Sequence, residues 1–336
     1  MTENLPLLVL GAGSWGTALA LVLAHNGHTV RLWSHNPEHV QQLQAARQNA
    51  HFLPDIIFPN NLHPISELTP HVSDVKHIIV AVPSHGFRET LTKLQPLLNS
   101  YVSICWATKG LENNTGLLLH QVAQAVLGDN IPLSVLSGPS FAKEVAAQLP
   151  TAITIAANEI QHAQVFADIF HNPHYFRAYT NTDIIGVQVG GAIKNVIAIA
   201  AGIADGLAFG ANTRAALITR GLTEMVRFGM ALGGKQETFM GLTGLGDLML
   251  TCTDDLSRNR RFGYKLAKGL TLQQAQTEIG QVVEGVLTAH EVNRLAQKLD
   301  IDMPIVAHVH KVLNNECSPQ QAVKLLLARE PKQENL

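Results

Sequence analysis

The feature that most constrains this chain lies near its start. There the apolar run Leu7–Leu10 passes directly into Gly11-Ala12-Gly13-Ser14-Trp15-Gly16-Thr17-Ala18. The spacing is G-x-G-x-x-G between a strand and a helix. In that setting Gly11 permits a tight turn, Gly13 lets a pyrophosphate approach the backbone, and Gly16 lets the helix pack closely on the sheet. The helix start offers free N–H groups and the positive end of its dipole. Dinucleotide binding is the expectation, against the alternative of a merely structural glycine turn. The next strand, Thr29–Trp33, ends in Ser34 and His35, where sites selective for NAD usually place Asp or Glu on the ribose 2′-hydroxyl. With no carboxylate there to repel a 2′-phosphate, NADPH is expected to be favoured and NADH accepted.

Around this junction the first half alternates short apolar runs with helical stretches. Strands are expected at Leu7–Leu10, Thr29–Trp33, His77–Val82, Val102–Ala107, Leu133–Ser137 and Ala152–Ala156. Such continuous runs suit strands buried on both faces of a parallel sheet. Helices are expected after Asn36, with Pro37 at the first helical position, and over about Phe87–Leu98 and Gly116–Leu127. The alternation indicates βαβ units. Beyond about Thr182 no strand pattern remains. Helices are expected at Ile184–Leu207, Ala211–Leu232, Thr271–Gly280, Val286–Leu299 and Ser318–Leu327, and a frayed polar end over Ala328–Leu336. The expected architecture is an α/β doubly wound parallel sheet over residues 1–182 followed by an all-α domain over 183–336.

The length of 336 residues fits two domains. Lys and Arg number 24 against 26 Asp and Glu, so no polyanion partner is indicated and neither nucleic acid nor an anionic membrane is expected. A charged ligand would have to meet a local cluster. The start carries no basic segment before its apolar run, and the stretch Val196–Ala204 is short of the ~20 residues that span a bilayer. The three cysteines, Cys105, Cys252 and Cys317, are far apart, which points to a reducing cytoplasm.

Isolated charges in apolar sequence are the candidate cluster. Lys194 is the only charge between Asp183 and Asp205, and Asp247 the only one between Phe239 and Cys252. A lone lysine either reaches out to water or lines a polar site, where desolvation lowers its pKa and suits it to proton exchange. Asp247, in a Gly-rich segment, either orients a lysine or caps a helix. Lys109 follows a strand, where open α/β sheets bind ligands, although strand-end lysines are often plain surface residues. Gly138-Pro139-Ser140-Phe141-Ala142 also follows a strand and offers the Ser140 hydroxyl and backbone N–H groups to an anion; an ordinary helix start fits equally. Ser257-Arg258-Asn259-Arg260-Arg261 is the densest basic cluster, suited to phosphate oxygens or to a solvated surface. Of sixteen histidines, the pairs His171/His174 and His308/His310 have no ligand-spaced partner, so no metal site is expected.

Six segments, in order, carry a resemblance: Gly11–Ala18, Ala107–Gly110, Gly138–Ala142, Gly190–Asn195, Gly244–Leu248 and Ser257–Arg260. Together they resemble bacterial NAD(P)-dependent sn-glycerol-3-phosphate dehydrogenases over nearly the whole chain. The resemblance implies a Rossmann-like N-terminal domain, a helical C-terminal domain and an active site between them. It implies reduction of dihydroxyacetone phosphate to sn-glycerol 3-phosphate with NADH or NADPH, supplying phospholipid synthesis. By motif, Lys194 resembles the general acid/base, assisted by Lys109 and Asp247. Gly11, Gly13, Ser14, Trp15, Gly16, His35, Ala142, Val282 and Glu284 resemble cofactor contacts. Lys109 and Arg258 resemble residues shared by cofactor and substrate. Gly138, Ser140, Lys194, Asn195, Asp247, Ser257 and Asn259 resemble substrate contacts. It leaves room for a homodimer. The alternatives are a related β-hydroxyacid dehydrogenase, 6-phosphogluconate-like, and a non-catalytic NADPH sensor, which would have no use for lone Lys194 and Asp247.

Overall fold

The structure, a computed structural model, describes residues 4–99, 101–330 and 333. Of the polar end Ala328–Leu336, residues 331, 332 and 334–336 lie outside the described residues. The chain divides into two compact units, Met1–Thr108 with Leu119–Ile184, and Lys109–Leu118 with Ile185–Leu336.

The first unit is built on strands β1 (Pro6–Leu10), β2 (Thr29–Trp33), β3 (Gln48–Asn49), β4 (Leu53–Ile57), β5 (Leu62–Ile65), β6 (His77–Val80), β7 (Ser103–Trp106), β8 (Leu133–Ser137), β9 (Thr151–Ala156) and β10 (Phe176–Asn181). Eight of them form one sheet in the order β10-β9-β8-β7-β6-β1-β2-β5, and β3 and β4 form a separate antiparallel pair. Pairing is parallel except between β8 and β9, so β9 and β10 run against the rest. Leu7, Val9, Ile79, Cys105, Leu136 and Ile155 of the inner strands are fully buried. The helices are α1 (Ser14–His25), α2 (Pro37–Ala46), α3 (Thr69–Val72), α4 (Phe87–Leu94), α5 (Leu119–Leu127), α6 (Ala142–Ala146) and α7 (Ile160–Phe170). Asn36 caps α2 by accepting from Glu38 and His39 N–H, with Pro37 in the first turn. The helix expected from Phe87 ends at Leu94 because Pro96 follows within a 3-10 turn. The helix expected from Gly116 starts at Leu119: Leu111 and Leu118 bridge in antiparallel fashion, and Gly116 has φ +70°.

The second unit is helical: α8 (Ile184–Gly206), α9 (Gly210–Ala231), α10 (Gln236–Phe239), α11 (Asp247–Thr253), α12 (Arg258–Ala267), α13 (Leu272–Ile279), α14 (Glu284–Lys298), α15 (Pro304–Leu313) and α16 (Pro319–Leu327). By length and composition alone α8 could cross a membrane, but 89% of its apolar window is buried, and Val189, Ile193, Val196, Ile197 and Ile199 sit in the core of the unit. It is apolar all round because neighbours cover it all round. A Cβ on Gly190 would stand 2.5 Å from the Thr243 carbonyl oxygen, and one on Gly263 2.0 Å from that of Ile199. The two glycines therefore let the 242–246 turn and α12 lie directly against α8. On α9, buried Glu224 accepts from the N–H groups of Ile305 and Val306 at 2.6 and 3.1 Å, capping α15 across the core. Burial pushes its pKa up to about 7, with the two N–H groups acting in the opposite sense.

Candidate functional site

In the first unit the glycine turn has the form its spacing requires. Gly11 has φ +110°, and a Cβ there would lie 2.9 Å from the backbone of Ala81. A Cβ on Gly16 would lie 1.8 Å from the Gly11 carbonyl oxygen, so any larger residue pushes α1 off the turn. Gly13 differs: a Cβ there meets nothing within 4 Å. Gly13 is also the N-cap of α1 and supplies no side-chain cap to the first-turn N–H groups. Open space before an uncapped helix start fits a pyrophosphate. Fully buried Asn49 fixes the turn by donating to the Ala12 carbonyl and to Thr17 Oγ1, at 2.9 and 2.8 Å. Ser14 Oγ donates to the Phe52 carbonyl, and the buried Trp15 Nε1 has no partner in the unit. Asn49 carries no signal of this role in the sequence, because the groups its amide N–H bonds hold, Ala12 and Thr17, belong to the glycine turn far earlier in the chain.

At the end of β2, Ser34 is buried and lies 3.4 Å from His39 Nδ1, while His35 is exposed beside Trp33. The first carboxylate after β2 is Glu38, on the exposed first turn of α2. After β8, Gly138 has φ +136° and Ser140 Oγ donates to its carbonyl at 2.9 Å; Ala142 opens α6.

Gly13→Asp should leave the fold intact, since the space is empty, yet abolish dinucleotide binding by filling that space with negative charge. A thermal melt near the parent's, with NADPH affinity lower by roughly 100-fold or more, is expected. Retained affinity would mean that the turn serves only the fold.

The second unit gathers the isolated charges. Lys194 Nζ donates to Asp247 Oδ1 at 2.6 Å and to Thr251 Oγ1 at 2.9 Å. Lys109 Nζ donates to Asp247 Oδ2 at 2.7 Å. One carboxylate, 1% exposed, thus bridges two ammonium groups. Lys194 is held inside and not led out to water, and Asp247 pairs with the two lysines and is not the N-cap of α11. Asp247 opens α11 directly after a single π-helical turn, Leu242–Gly246, a distortion that recurs at functional sites. Thr251 was not anticipated. It lies one turn along α11 from Asp247 and also donates to the Asp247 carbonyl at 2.6 Å, so i,i+4 spacing from the lone carboxylate was its signal.

Electrostatics follow from that packing. Burial lowers the pKa of Lys194, Asp247 opposes, Lys109 adds like-charge repulsion, and the outcome is pushed down to about 7. Burial works to raise the Asp247 carboxyl, but the two ammonium groups prevail and hold it below the usual carboxylate range.

The basic segment is not a solvated patch. Ser257 caps α12 by accepting from Arg260 N–H, and Arg260 pairs with Asp205 and Asp255. Arg258 donates to Gln281 Oε1 at 2.9 Å; burial lowers its pKa while nearby Glu284 supports its charge. Asn259 Nδ2 donates to Asn195 Oδ1 at 3.0 Å, and Asn259 Oδ1 accepts from Gly285 N–H at 2.9 Å. That amide junction joins α8, α12 and the start of α14. Within this unit, then, Lys109, Lys194 and Asp247 form one cluster, and Asn195 and Asn259 a second contact. Gly138, Ser140, His35, Ala142 and the glycine turn belong to the first unit.

A dinucleotide-type turn followed by a helical unit that buries a lysine against a shared carboxylate is the pattern of a nicotinamide-dependent dehydrogenase. Comparison with known proteins narrows this. Residues 6–163 match the family model described as NAD-dependent glycerol-3-phosphate dehydrogenase N-terminus, and residues 183–324 match that described as its C-terminus. The chain is 53% identical to the glycerol-3-phosphate dehydrogenase [NAD(P)+] of Bartonella quintana, covering 98% of this chain and 96% of that protein. It is 54% identical to that of Klebsiella pneumoniae, with 98% of each covered. The crystal structure of glycerol-3-phosphate dehydrogenase from Coxiella burnetii superposes with a TM-score of 0.94 at 49% identity, covering 97% of this chain and 99% of that one. The chain belongs to the NAD(P)-dependent glycerol-3-phosphate dehydrogenase family.

Proposed function

We propose that this chain catalyses the reversible reduction of dihydroxyacetone phosphate to sn-glycerol 3-phosphate, through the buried Lys194–Asp247–Lys109 cluster. The observation that carries the reading is the lysine poised by burial at about neutral pKa against a carboxylate shared with a second lysine. A reduced nicotinamide, when bound, would supply the hydride that C2 of the ketone accepts. As the C2 oxygen gains negative charge, Lys194 in its ammonium form stabilises it and donates the proton that makes the alcohol. In the reverse direction the Lys194 amine accepts that proton. Asp247 keeps the ammonium oriented, and Lys109 adds positive charge while holding the pKa of Lys194 down. Ser257, Arg258 and Asn259 are assigned to the substrate phosphate, together with Gly138 and Ser140. Ser257 retains its hydroxyl proton and Asn259 a second amide N–H for that purpose. Asn195 is assigned to the substrate, and also braces Asn259.

The cofactor contacts are assigned to Gly11, Gly13, Ser14, Trp15, Gly16, His35 and Ala142 in the first unit and to Lys109, Arg258, Val282 and Glu284 in the second. With Ser34 and His35 after β2 and no carboxylate at that point, NADPH is favoured and NADH accepted. The domain roles follow: residues 1–182 bind cofactor and 183–336 carry substrate and catalysis, with the Lys109–Leu118 arm contributed to the latter. The product's use in glycerophospholipid synthesis, a cytoplasmic location and a homodimeric state belong to the same proposal, supported by membership of the family.

The test is oxidation of both reduced cofactors with dihydroxyacetone phosphate against a panel of keto acids, across pH. Only the ammonium form of Lys194 can donate, so kcat for reduction should fall as pH rises through about 7, and kcat for oxidation should rise over the same range. Turnover confined to a keto acid, or no substrate-dependent oxidation at all, would overturn the reading.

A further inference from the structure

The segment Lys109–Leu118 leaves the sheet unit in sequence yet belongs to the helical unit. Its ends are held by two leucines, Leu111 and Leu118, which are 2% and 4% exposed in the helical core and bridge to one another. Between them the chain turns through Asn114 and Gly116, both at positive φ, with the Glu112 N–H donating to the Leu117 carbonyl and the Gly116 N–H to the Glu112 carbonyl. Beneath this turn lies Glu291 on α14, 5% exposed. Its Oε1 accepts from the Asn114 N–H at 2.8 Å, and its Oε2 accepts from Arg294 Nη2 at 2.7 Å and Nε at 3.2 Å. The turn presses close: a Cβ on Gly116 would stand 2.7 Å from Arg294 Nη2 and 3.3 Å from Glu291 Oε2. A buried carboxylate is costly unless its lone pairs are used, and here one oxygen is committed to the arm's backbone.

We infer that Glu291 is a positioning residue for the reaction, anchoring the 109–118 arm so that Lys109 reaches Asp247. The anchor lies five residues beyond Lys109 on the same short arm, and the arm's other end is fixed by Leu118. Leu111, between Lys109 and the anchor, is seated by the same turn, so release of Asn114 loosens the turn that holds Leu111 against Leu118 and, through it, the position of the Lys109 ammonium. The groups facing Lys194 are Asp247, Thr251 and the neutral Cys252 thiol from α11, and Lys109 from the arm. Lys109 is the one mobile charge among them once the anchor is lost. Withdrawing it removes like-charge repulsion and leaves Asp247 paired to Lys194 alone, so the Lys194 ammonium persists to higher pH.

The inference rests on the proposed roles of Lys109 and Lys194, and the test separates the two. In the full-length enzyme Glu291→Ala is expected to lower kcat for dihydroxyacetone phosphate reduction by about 10- to 100-fold. NADPH affinity should be unchanged, and the pH limb of kcat should move upward. Glu291→Gln keeps a carbonyl acceptor for Asn114 while losing the Arg294 pair, and should restore the parent profile. In a Lys109→Ala background, Glu291→Ala should cost no further kcat. If Glu291→Ala does not fold, Glu291→Asp carries the same measurements, since one methylene less withdraws the acceptor. Parent kcat and pH limb in Glu291→Ala and Glu291→Asp, or a loss that adds in full to that of Lys109→Ala, would overturn the positioning role with the catalytic reading intact. Parent turnover by Lys109→Ala itself would instead overturn the reading on which it rests.

Discussion

Lys194→Ala is expected to retain NADPH affinity while losing about 10²–10⁴-fold in kcat for dihydroxyacetone phosphate reduction. That corresponds to roughly 3–5 kcal/mol of barrier. The reason is differential: the ammonium does little for a neutral carbonyl and much for the oxygen that hydride transfer makes anionic. The glycine turn lies in the other unit, so cofactor affinity should not follow the loss. The pH dependence assigned to this group should vanish with it. Removing the lysine also leaves Asp247 paired with Lys109, a buried charge still compensated, so the fold should survive. The check is a pair of measurements on one sample, NADPH titration and steady-state turnover. Near-parent turnover would remove Lys194 from its role.

Asp247→Asn is the second large effect, and it should strike stability and catalysis together. The substitution keeps the shape of the side chain but leaves Lys194 and Lys109 close together with no counter-charge. Breaking a buried pair by removing one partner typically costs about 3–5 kcal/mol. Part of that cost can be relieved by deprotonating Lys194, whose pKa then falls further below its present value of about 7. Two consequences follow. At neutral pH the reduction slows because the proton donor is mostly absent, and activity is partly regained at lower pH. Stability shows the same dependence in reverse. Lys194 then has a folded-state pKa far below its unfolded value, so its penalty grows as pH falls between the two. Chemical denaturation at pH 6 and pH 9 reads this directly. The double variant Asp247→Asn with Lys194→Met should regain stability without regaining turnover, separating the ion pair's structural role from its chemical one.

Legibility in the sequence follows the range of the interactions. The inner strands are continuous apolar runs because both of their faces are covered, and those runs located β1, β2, β6, β7, β8 and β9. The two edge strands escaped notice. Strand β5 reads Leu-His-Pro-Ile, with a proline tolerated only where one side of the ladder is unpaired, and β10 buries Phe176 but leaves Arg177 and Tyr179 exposed. The reversal at β9 escaped too, since an apolar run carries no record of its direction. Helices α11, α12 and α15 are short and mixed in composition, and they owe their form to packing on neighbouring helices and to capping of α12 by Ser257 and of α15 by Glu224.

What the sequence determined by itself is local. The glycine spacing dictates the turn, because φ, the Cβ volume and the free N–H groups are properties of consecutive residues. The isolation of Lys194 and of Asp247 in apolar segments marks them as charges that must find partners, because an unpaired charge cannot be buried. Tertiary structure alone decided which partners these are. Lys109, Lys194 and Asp247 stand far apart in the chain, and their 2.6 and 2.7 Å contacts depend on glycine-sized gaps at Gly190 and Gly263 and on an arm held down by Glu291. A chain of formal net charge −2 therefore contains a buried site where two cations share one carboxylate. Net charge is a sum over the chain, whereas the strength of a site depends on distance and desolvation, which exist only once the chain has folded.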